Sequence, residues 1–558
     1  MSDERFKKII AVLIAVTTVF AALLAQLQAE AGNRDDRANR DSKRASVEAF
    51  GLQIRGNAEA NYHYYTAFEQ YRELETLREA ADQRHDQKSA DRYETMRDRL
   101  VDTSPLLAGK DRQGKAYFDS ENEYEPDLAR YQADTYYVSV QQQLQTFKAA
   151  SKVKDGWDYK ANAYIFHLTL LAVSLFLFGL AGTIATAATR MVFTGSGLLL
   201  TVVAMGAALS TYLAPVPDLR NRKGAIEHYA QGMGKVHMEL LKESIAEFDQ
   251  AIAAAPDYGD AYLERGRAYL YMDPPDLAKS LDSFAKALQF DPSNTAVYTE
   301  MAWGQYLQGE FENSIKTCQT GLQQRPDSLQ LQFQLGLSLL ASGQEKEARE
   351  TYQKGLEQAA AIVAAARKNK QEPPSEVIAN LEEASGILDQ LQNVVDEKKG
   401  SPPPAKVVGK PETVSKVCEQ LSGLLVSWEL ALENTGLPPQ GKLTAKLDNE
   451  YFQDTSGKTP KDPDDNNVFK GSPAQISLNF NYANMKKGQK VVYRIFHDGE
   501  ELDSWRYEED WTEDGQGEWE EPLYPGYSEG FRFEPGDYYV EVFVDYHLAT
   551  YGTFKVEE

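Results

Sequence analysis

The sequence predicts a multidomain protein that combines transmembrane helices, a polar helical hairpin, an all-α solenoid and a C-terminal all-β sandwich. Three observations predict this class. There are three long apolar segments without charged side chains, a helical repeat punctuated by prolines, and a change to two-residue periodicity near the C-terminus. At 558 residues the chain is too long for a single hydrophobic core, so several modules are expected.

The first apolar segment covers residues 9–29 and carries no charged side chain. A helix of about 20 apolar residues crosses the hydrocarbon layer of a bilayer. The preceding Arg5, Lys7 and Lys8 resemble the basic start of a secretory signal, but the apolar stretch is long for a signal that is cleaved. Residues 1–29 are therefore predicted to form a retained transmembrane anchor.

The second and third apolar segments lie within residues 161–217, which carry no acidic, Lys or Arg side chain except Arg190 and predict a tight two-helix membrane hairpin. His167 is expected at the membrane interface rather than on a proton path, because no acidic partner accompanies it. The stretch 170–181, LLAVSLFLFGLA, followed by Arg190, gives the N-terminal third a loose resemblance to an uncharacterised bacterial membrane family with this layout. That resemblance implies no activity.

Three crossings put the N-terminus on one side of the membrane and the C-terminal half on the other. The basic residues before the first helix favour a cytoplasmic N-terminus, whereas Arg220 and Arg222, after the third helix, favour the reverse. Long polar segments weigh little in this rule, so the C-terminal half is expected outside. The predicted location is multi-pass, in a bacterial inner or plasma membrane.

Residues 30–160 are polar and are predicted to form a helical hairpin that stands off the membrane. Tyr62, Tyr65 and Phe68 belong to an aromatic stripe with roughly helical spacing. Residues 103–126, which are rich in turn signals, are the expected turn. The stripe is expected to pack either on the other arm or on another protomer, and the second alternative predicts a homo-oligomer.

A repeat follows the membrane segments. Pro256, Pro292 and Pro326 end successive helical segments at intervals of 36 and 34 residues. Small residues recur in the first helices, mostly aromatic residues in the second helices, and small residues again late in the second helices. In that order the positions are Gly266, Ala302 and Gly336; Phe248, Phe284, Cys318 and Tyr352; and Ala251, Ala287, Gly321 and Gly355. This period resembles the tetratricopeptide repeat, so residues 219–398 are predicted to form such an array with a capping helix.

The concave face of such an array is lined by first-helix positions and is the expected site for a protein partner. The predicted partner-binding residues are Leu263, Arg267, Tyr271, Thr299, Trp303, Tyr306, Phe333 and Leu337. This face is apolar and aromatic, which favours an apolar peptide over a gripped C-terminal carboxylate. The alternative is that Trp303 and Tyr306 pack against the capping helix.

Residues 399–435 are predicted to be a Pro-rich linker and a short helix, and residues 436–558 an immunoglobulin-like β-sandwich. Alternating apolar and polar residues mark its strands, and Asp498-Gly499 fits a hairpin turn. The turn at 535–538 and the closing strand resemble β-sandwich modules appended to bacterial surface proteins. That resemblance implies an exterior location.

Two features of the sandwich are candidates for recognition. Trp505, Trp511 and Trp519 lie in an aromatic-rich stretch, where exposed rings stack on sugars or anchor protein contacts. The alternative, expected for most aromatic residues of this stretch, is packing in the core and the sheets. Oxygen ligands cluster at Asp462, Asp464, Asp465, Asn466 and Asn467, but the cluster lacks the EF-hand pattern. It is expected to be a solvated loop, and no metal site is predicted.

Several function classes are disfavoured. A net charge of -25 argues against nucleic-acid binding. Phosphate-binding loops, His-Glu-x-x-His and Gly-x-Ser-x-Gly motifs are absent from the sequence, so no enzyme activity and no cofactor are predicted. Two cysteines, Cys318 and Cys418, do not make a disulfide framework.

The leading hypothesis is a membrane-anchored scaffold that binds a protein partner through the repeats and contacts the lipid bilayer through its helices. A rival is a cell-surface module whose sandwich recognises glycan or envelope components, with the repeats as a spacer. A third alternative is a membrane sensor in which the 30–160 hairpin changes its packing.

Overall fold

The structure is a computed structural model that describes residues 3–111, 113–119, 125–222, 224–396, 407–464, 466–523 and 532–557. The chain divides into two compact units, Met1–Pro292 and Ser293–Glu558. Each unit has its own helices and its own buried core, and each is considered by itself.

The first half of unit 1 is built from long helices. The helix α1 (Asp3–Tyr62) continues through a π-helical turn (His63–Phe68) into α2 (Glu69–Gln83), and α3 (Gln87–Thr103) follows. The short helix α4 (Leu128–Gln132) continues through a second π-helical turn (Ala133–Tyr137) into α5 (Val138–Thr183). The last of these helices is α6 (Ala187–Leu213). Three of these helical segments are long and apolar enough to cross a membrane, by length and composition: those that contain α1, α5 and α6.

The two longest helices, α1 and α5, pack against each other along their length. Buried α1 residues recur every seven positions, at Leu24, Ala31, Ala38 and Ala45. Small residues at this spacing let two helices approach closely. The predicted boundary between anchor and polar hairpin, at residue 30, falls inside α1, because the helix runs on without a break.

The polar part of unit 1 differs from a simple hairpin. The chain already reverses between α2 and α3, where the Asp86 carboxylate accepts a hydrogen bond from the Ser89 backbone N–H and caps α3. The aromatic stripe divides accordingly. Phe68 is buried beside Phe118, whereas Tyr62 and Tyr65 are exposed.

Unit 1 ends with two helical pairs, α7 (Ala225–His237) with α8 (Leu241–Ala254) and α9 (Gly259–Tyr271) with α10 (Leu277–Phe290). Unit 2 begins with two more, α11 (Thr295–Leu307) with α12 (Phe311–Gln324) and α13 (Leu329–Ala341) with α14 (Glu345–Lys368). These four pairs fall where the repeat period predicts them.

Unit 2 contains a fifth helical pair, α15 (Ser375–Val395) and α16 (Pro411–Asn434). The capping helix predicted from the sequence is α15. The helix expected after the Pro-rich stretch is α16, which has 24 residues and packs along α15. Twelve of its residues are buried, because it is apolar on more than one side. The prolines at 402–404 lie outside the described residues.

The C-terminal region is β-rich. Its strands are β1 (Lys446–Asp454), β2 (Val468–Lys470), β3 (Ile476–Met485), β4 (Lys490–His497), β5 (Glu500–Glu501), β6 (Tyr507–Asp510), β7 (Gly515–Leu523), β8 (Gly536–Val544) and β9 (His547–Glu557). One sheet has the order β1-β3-β7, and the other β2-β9-β8-β4-β5 with β6 also on β4. The predicted turn at Asp498-Gly499 is confirmed: both residues have positive φ and join the antiparallel strands β4 and β5.

Candidate functional site

The helical pairs are held together by contacts between a glycine and an aromatic ring. In the second pair, a Cβ added to Gly266 would come within 2.5 Å of the Phe284 ring. In the fourth pair, Gly336 meets Tyr352 in the same way, at 2.7 Å. The second-helix positions predicted to fill this gap are all buried, at Phe248, Phe284, Cys318 and Tyr352. The repeat spacing therefore identified the residues that build the array.

Three predicted partner-binding residues lie on α9 in unit 1, and the structure separates them. Leu263 is buried, because it precedes Gly266 by one helical turn and shares the packed face of α9. Arg267 is half-buried, and its Nη1 donates to Glu264 Oε1 over 2.9 Å. Tyr271 is 56 % exposed. Leu263 is therefore corrected to a packing residue.

The other predicted residues lie in unit 2, and three of them are also corrected to packing residues. Phe333 stacks on Tyr352 and covers Gly355, because it too precedes the small residue of its helix by one turn. Leu337 and Tyr306 are buried as well.

The burial of Leu337 has a structural cause: α13 is covered on every side, and twelve of its thirteen residues are buried. Both α15 and α14 pack against it. Thr299 and Trp303, on α11, are half-buried and therefore keep an accessible part. The Trp303 ring stacks on Tyr306 with centroids 5.2 Å apart.

The sequence did not reveal that α5 packs directly on the first helical pair. The rings of Tyr137 and His237 stack with centroids 4.2 Å apart, and Val138 lies over Gly234. Further along α5, Gln145 Oε1 accepts a hydrogen bond from the Tyr258 hydroxyl over 2.9 Å. The helix that contains the second apolar segment is thus attached to the start of the array.

Ion pairs extend this contact towards the second helical pair. Lys148 Nζ lies 3.1 Å from Asp260 Oδ2, and Lys152 Nζ lies 3.4 Å from Asp291 Oδ2. A cavity of about 350 Å³ lies beside these pairs. Acidic and basic side chains line it together, so it has no strong preference for one sign of ligand charge.

Besides α15, α16 packs on the second sheet of the β-rich region. Val426 and Leu430 of α16 form one buried cluster with Val492 of β4, Phe543 of β8 and Tyr546. An apolar helix face on an apolar sheet face excludes water from both. In unit 2 the helical pairs and the β-rich region are therefore joined by a packed interface.

A buried cluster of charged groups continues this interface. Arg494 Nη1 donates to Glu541 Oε2 over 3.0 Å, and Arg494 also binds Glu501. Arg506 Nε donates to Glu501 Oε1 over 2.7 Å. The carboxylate of Glu429, on α16, lies 3.9 Å from Arg506 Nη2, and its Oε1 is buried without a hydrogen-bond partner.

Burial affects the two glutamates of this cluster differently. It raises the pKa of Glu429 to about 7, because nearby Arg494 and Arg506 only partly offset the loss of solvation. Burial also acts to raise the pKa of Glu501, but the hydrogen bonds from Arg506 and Arg494 outweigh it and lower that pKa.

The predicted recognition tryptophans are not a cluster of exposed rings. Trp511 is 1 % exposed and belongs to the core shared by the two sheets, so its predicted role in recognition is wrong. Trp505 and Trp519 are half-buried and pack against that core. Tyr524 and Tyr527, two further aromatic residues of this stretch, lie outside the described residues.

The oxygen-rich loop before β2 is organised by its own hydrogen bonds. Asp464 Oδ1 accepts from the backbone N–H groups of Asn466 and Val468, over 2.9 and 3.0 Å. Such bonds to nearby backbone are typical of an Asx turn. Asp465 lies outside the described residues. Within the described part of the chain, no group of three or more His, Cys, Asp or Glu side chains is placed to hold a metal ion.

Both cysteine thiols are buried, and burial raises the pKa of each to about 12. A thiol with such a pKa is a poor nucleophile at neutral pH. The expectation that the protein is not an enzyme stays a prediction.

Comparisons with known proteins support the repeat. The family model described as Tetratricopeptide repeat matches residues 229–295, which contain α8, α9 and α10 with most of α7. A solved structure titled MamA RS-1 ArsTM double mutant is 14 % identical, with 33 % of this chain and 93 % of that chain covered, at a TM-score of 0.23. A Pseudomonas fluorescens alkylpurine DNA glycosylase AlkC bound to DNA is 12 % identical, with 77 % and 99 % covered, at a TM-score of 0.26. These TM-scores are too low to establish a shared fold.

Proposed function

We propose that this protein is a membrane-anchored scaffold that recruits a protein partner through its tetratricopeptide-type array. The match at residues 229–295 carries the proposal, because stacked helical pairs of this kind present extended surfaces to other proteins. The three long apolar helices support the anchor. The packing of α5 on α7 supports a direct link between the anchor and the first repeats.

The partner is proposed to be a protein segment with apolar side chains. In unit 2 it would contact Thr299 and Trp303 on α11, which keep accessible surface. Within unit 1, considered by itself, Arg267 and Tyr271 on α9 are separate candidate contacts. An aromatic ring that is half-buried beside a fixed neighbour is a favourable anchor, because little side-chain entropy is lost on binding. The proposed location is a bacterial inner or plasma membrane, with the C-terminal half outside.

We also propose that the β-rich region is an immunoglobulin-like sandwich and that the protein forms a homo-oligomer. An immunoglobulin-like sandwich is supported by two sheets that share one core. A homo-oligomer is supported by Val47, Phe50 and Ile54, which are 71, 69 and 55 % exposed on the polar part of α1. Exposed apolar residues at i, i+3 and i+7 on a helix are typical of helix–helix contacts.

Affinity capture with the full-length chain, extracted from membranes in mild detergent, tests the proposed recruitment. The comparison is between the unchanged chain, Trp303→Ala, and Tyr65→Ala as the matched control, since Tyr65 is an exposed aromatic residue outside the array. We expect a specific protein to be captured by the unchanged chain and by Tyr65→Ala. Trp303→Ala is expected to reduce that capture about tenfold or more, the effect of losing a central aromatic contact.

Two results would count against the proposal. Equal capture of the partner by Trp303→Ala and by the unchanged chain would show that the array face is not the binding surface. Complete release of the chain from membranes by alkaline carbonate would show that the chain has no transmembrane anchor. Circular dichroism of each variant separates lost binding from lost folding.

A further inference from the structure

A long apolar cleft lies between α1 and α6. It has a volume of about 750 Å³, within the range of small-molecule binding sites. Apolar side chains from both helices form its walls. Its lining residues include Phe20, Leu23 and Leu27 of α1 and Met205, Gly206 and Leu209 of α6.

The cleft exists because α1 and α6 both pack on α5 more than on each other. Leu24 of α1 and Ala204 and Ala208 of α6 belong to one buried cluster with Leu171 of α5. Away from this shared cluster α1 and α6 make few contacts with each other, which leaves the cleft between them. Gly206 faces open space, since a Cβ added there would meet no atom within 4 Å.

The length of the cleft matches one leaflet of a bilayer. Its walls run from Phe20 to Glu30 on α1 and from Val202 to Tyr212 on α6. At a rise of 1.5 Å per residue this is about 16 Å, roughly half of the hydrocarbon thickness of about 30 Å. A transmembrane helix of a partner would need a groove about twice as long.

The cleft ends in polar groups at the side of the membrane that faces the array. Glu30 and Tyr212 line this end. Arg34 Nη2 lies 2.5 Å from Glu30 Oε1, and Lys160 Nζ donates to the Tyr212 carbonyl oxygen over 3.3 Å. The centroid of the Trp157 ring lies 4.6 Å from Arg34 Cζ and 5.2 Å from Lys160 Nζ, so the ring contacts both cations.

Lys160 at this end is a cation without a matching anion. It is only 6 % exposed, and its ammonium contacts a carbonyl oxygen and the Trp157 ring. In the described parts of the chain, no carboxylate lies within the 4.0 Å ion-pair distance of Lys160 Nζ. A buried charge is costly unless an opposite charge compensates it.

We propose that this cleft binds one phospholipid of the membrane, with an acyl chain between α1 and α6 and the phosphate beside Lys160 and Arg34. The apolar walls suit the chain, the length suits one leaflet, and the phosphate supplies the anion that Lys160 lacks. The lipid belongs to the leaflet nearer the array. This inference rests on the proposed membrane anchor.

The test measures phospholipid bound to the full-length chain after purification in mild detergent, by native mass spectrometry. The unchanged chain is expected to retain one phospholipid. Gly206→Leu fills the cleft and is expected to reduce phospholipid retention about tenfold, since the acyl chain of the lipid loses its apolar contacts. Gly195→Leu is the matched control, because Gly195 lies on the same helix, also faces open space and is not among the cleft-lining residues.

The headgroup contact is tested separately at Lys160. Lys160→Met keeps the apolar stem and removes the cation, so retention is expected to fall about tenfold, whereas Lys160→Arg is expected to restore it. Equal retention in Lys160→Met and Lys160→Arg would overturn the phosphate contact.

Other outcomes overturn the site as a whole. Equal lipid retention in Gly206→Leu and Gly195→Leu would mean that only the general lipid annulus was measured. Disulfide-linked dimers of a Gly206→Cys variant in membranes would show that a second copy fills the cleft. A chain that resists carbonate extraction yet retains no lipid contradicts this site alone, whereas a chain released by carbonate contradicts the proposed anchor.

Discussion

The glycine–aromatic contacts of the helical pairs and the charged cluster beside α16 hold the molecule together in opposite ways. In the pairs, Gly266 and Phe284 fit because one side chain is absent and the other is large and apolar. In the cluster, Arg494 is surrounded by carboxylates that would each be costly to bury alone. The first contact depends on shape, and the second depends on complete pairing of charge.

These two kinds of contact also differ in how well the sequence predicts them. Gly266 and Phe284 are partners within one repeat, so a fixed spacing exposes them. Glu429 meets Arg506 from a different part of the chain, and no periodicity links the two. Contacts of shape within a repeat are therefore predictable, whereas contacts of charge between modules need the structure.

The largest effect is expected from Arg494→Met. The substitution leaves the Glu501 and Glu541 carboxylates beside an apolar side chain, and breaking a buried ion pair costs about 3–5 kcal/mol. The free energy of unfolding of the β-rich region, measured by urea titration, should fall by that amount. Arg532→Met is the control, because Arg532 is exposed and donates to the Ser472 carbonyl oxygen rather than to a carboxylate among the described residues. A loss no larger than that of the control would show that the cluster contributes little.

The next effect is expected from Gly266→Ala. The added methyl group would lie 2.5 Å from Phe284, and overpacking of a well-packed core costs about 1–3 kcal/mol. Thermal unfolding of the array should therefore shift to lower temperature. Gly386→Ala is the matched control, since a Cβ there meets no atom within 4 Å on α15, and it should stabilise by about 0.5–1 kcal/mol. Equal shifts in both variants would refute the shape-based account of the pairs.

A smaller effect is expected from Glu429→Gln, and it should depend on pH. The folded protein raises the pKa of Glu429 to about 7 from an ordinary value of 4.5, so the folded state holds a proton that the unfolded state has lost between these values. The contribution of Glu429 to the free energy of unfolding is therefore lost as pH rises from 4.5 through about 7.

Urea midpoints at pH 5 and pH 8 measure this dependence. Relative to the unchanged chain, Glu429→Gln should be more stable at pH 8 than at pH 5, by about 1 kcal/mol or more. If the stability difference between Glu429→Gln and the unchanged chain is the same at pH 5 and at pH 8, Glu429 does not titrate in this range. The charged groups that face it are Arg494, Arg506, Glu382 and Glu501.

The smallest effect is expected from Lys148→Ala, which removes the pair with Asp260. The Lys148 side chain is 55 % exposed, and exposed ion pairs contribute about 0.2–1 kcal/mol. Thermal unfolding in low salt should detect a small loss that disappears in high salt. A loss as large as that of Arg494→Met would mean that burial is not what distinguishes the cluster from other ion pairs.

Much of the helical architecture follows from local sequence. Apolar segments identified the three long apolar helices, and the proline interval located the helical pairs. The candidate face was predicted less well. Leu263 and Phe333 are apolar residues on first helices, as groove residues would be, and only the packing around Gly266 and Gly355 shows that they face inwards.

Other differences have the same origin. The sequence left both recognition and core packing open for Trp511, and the two sheets bury it in their shared core. The packing of α16 on α15 and on the second sheet was not predicted, because the sequence alone does not show which elements come to lie beside it. Burial by distant elements has no local signal.

The most direct test of the scaffold is photo-crosslinking in native membranes. A photoreactive amino acid replaces Trp303 in one full-length chain and Tyr65 in a control chain, since both positions carry an accessible aromatic residue. We expect one discrete adduct with a different protein at position 303 and no such adduct at position 65. An intact, membrane-bound chain that gives no adduct at 303, or the same adduct at both positions, would contradict the claim that the array recruits a partner.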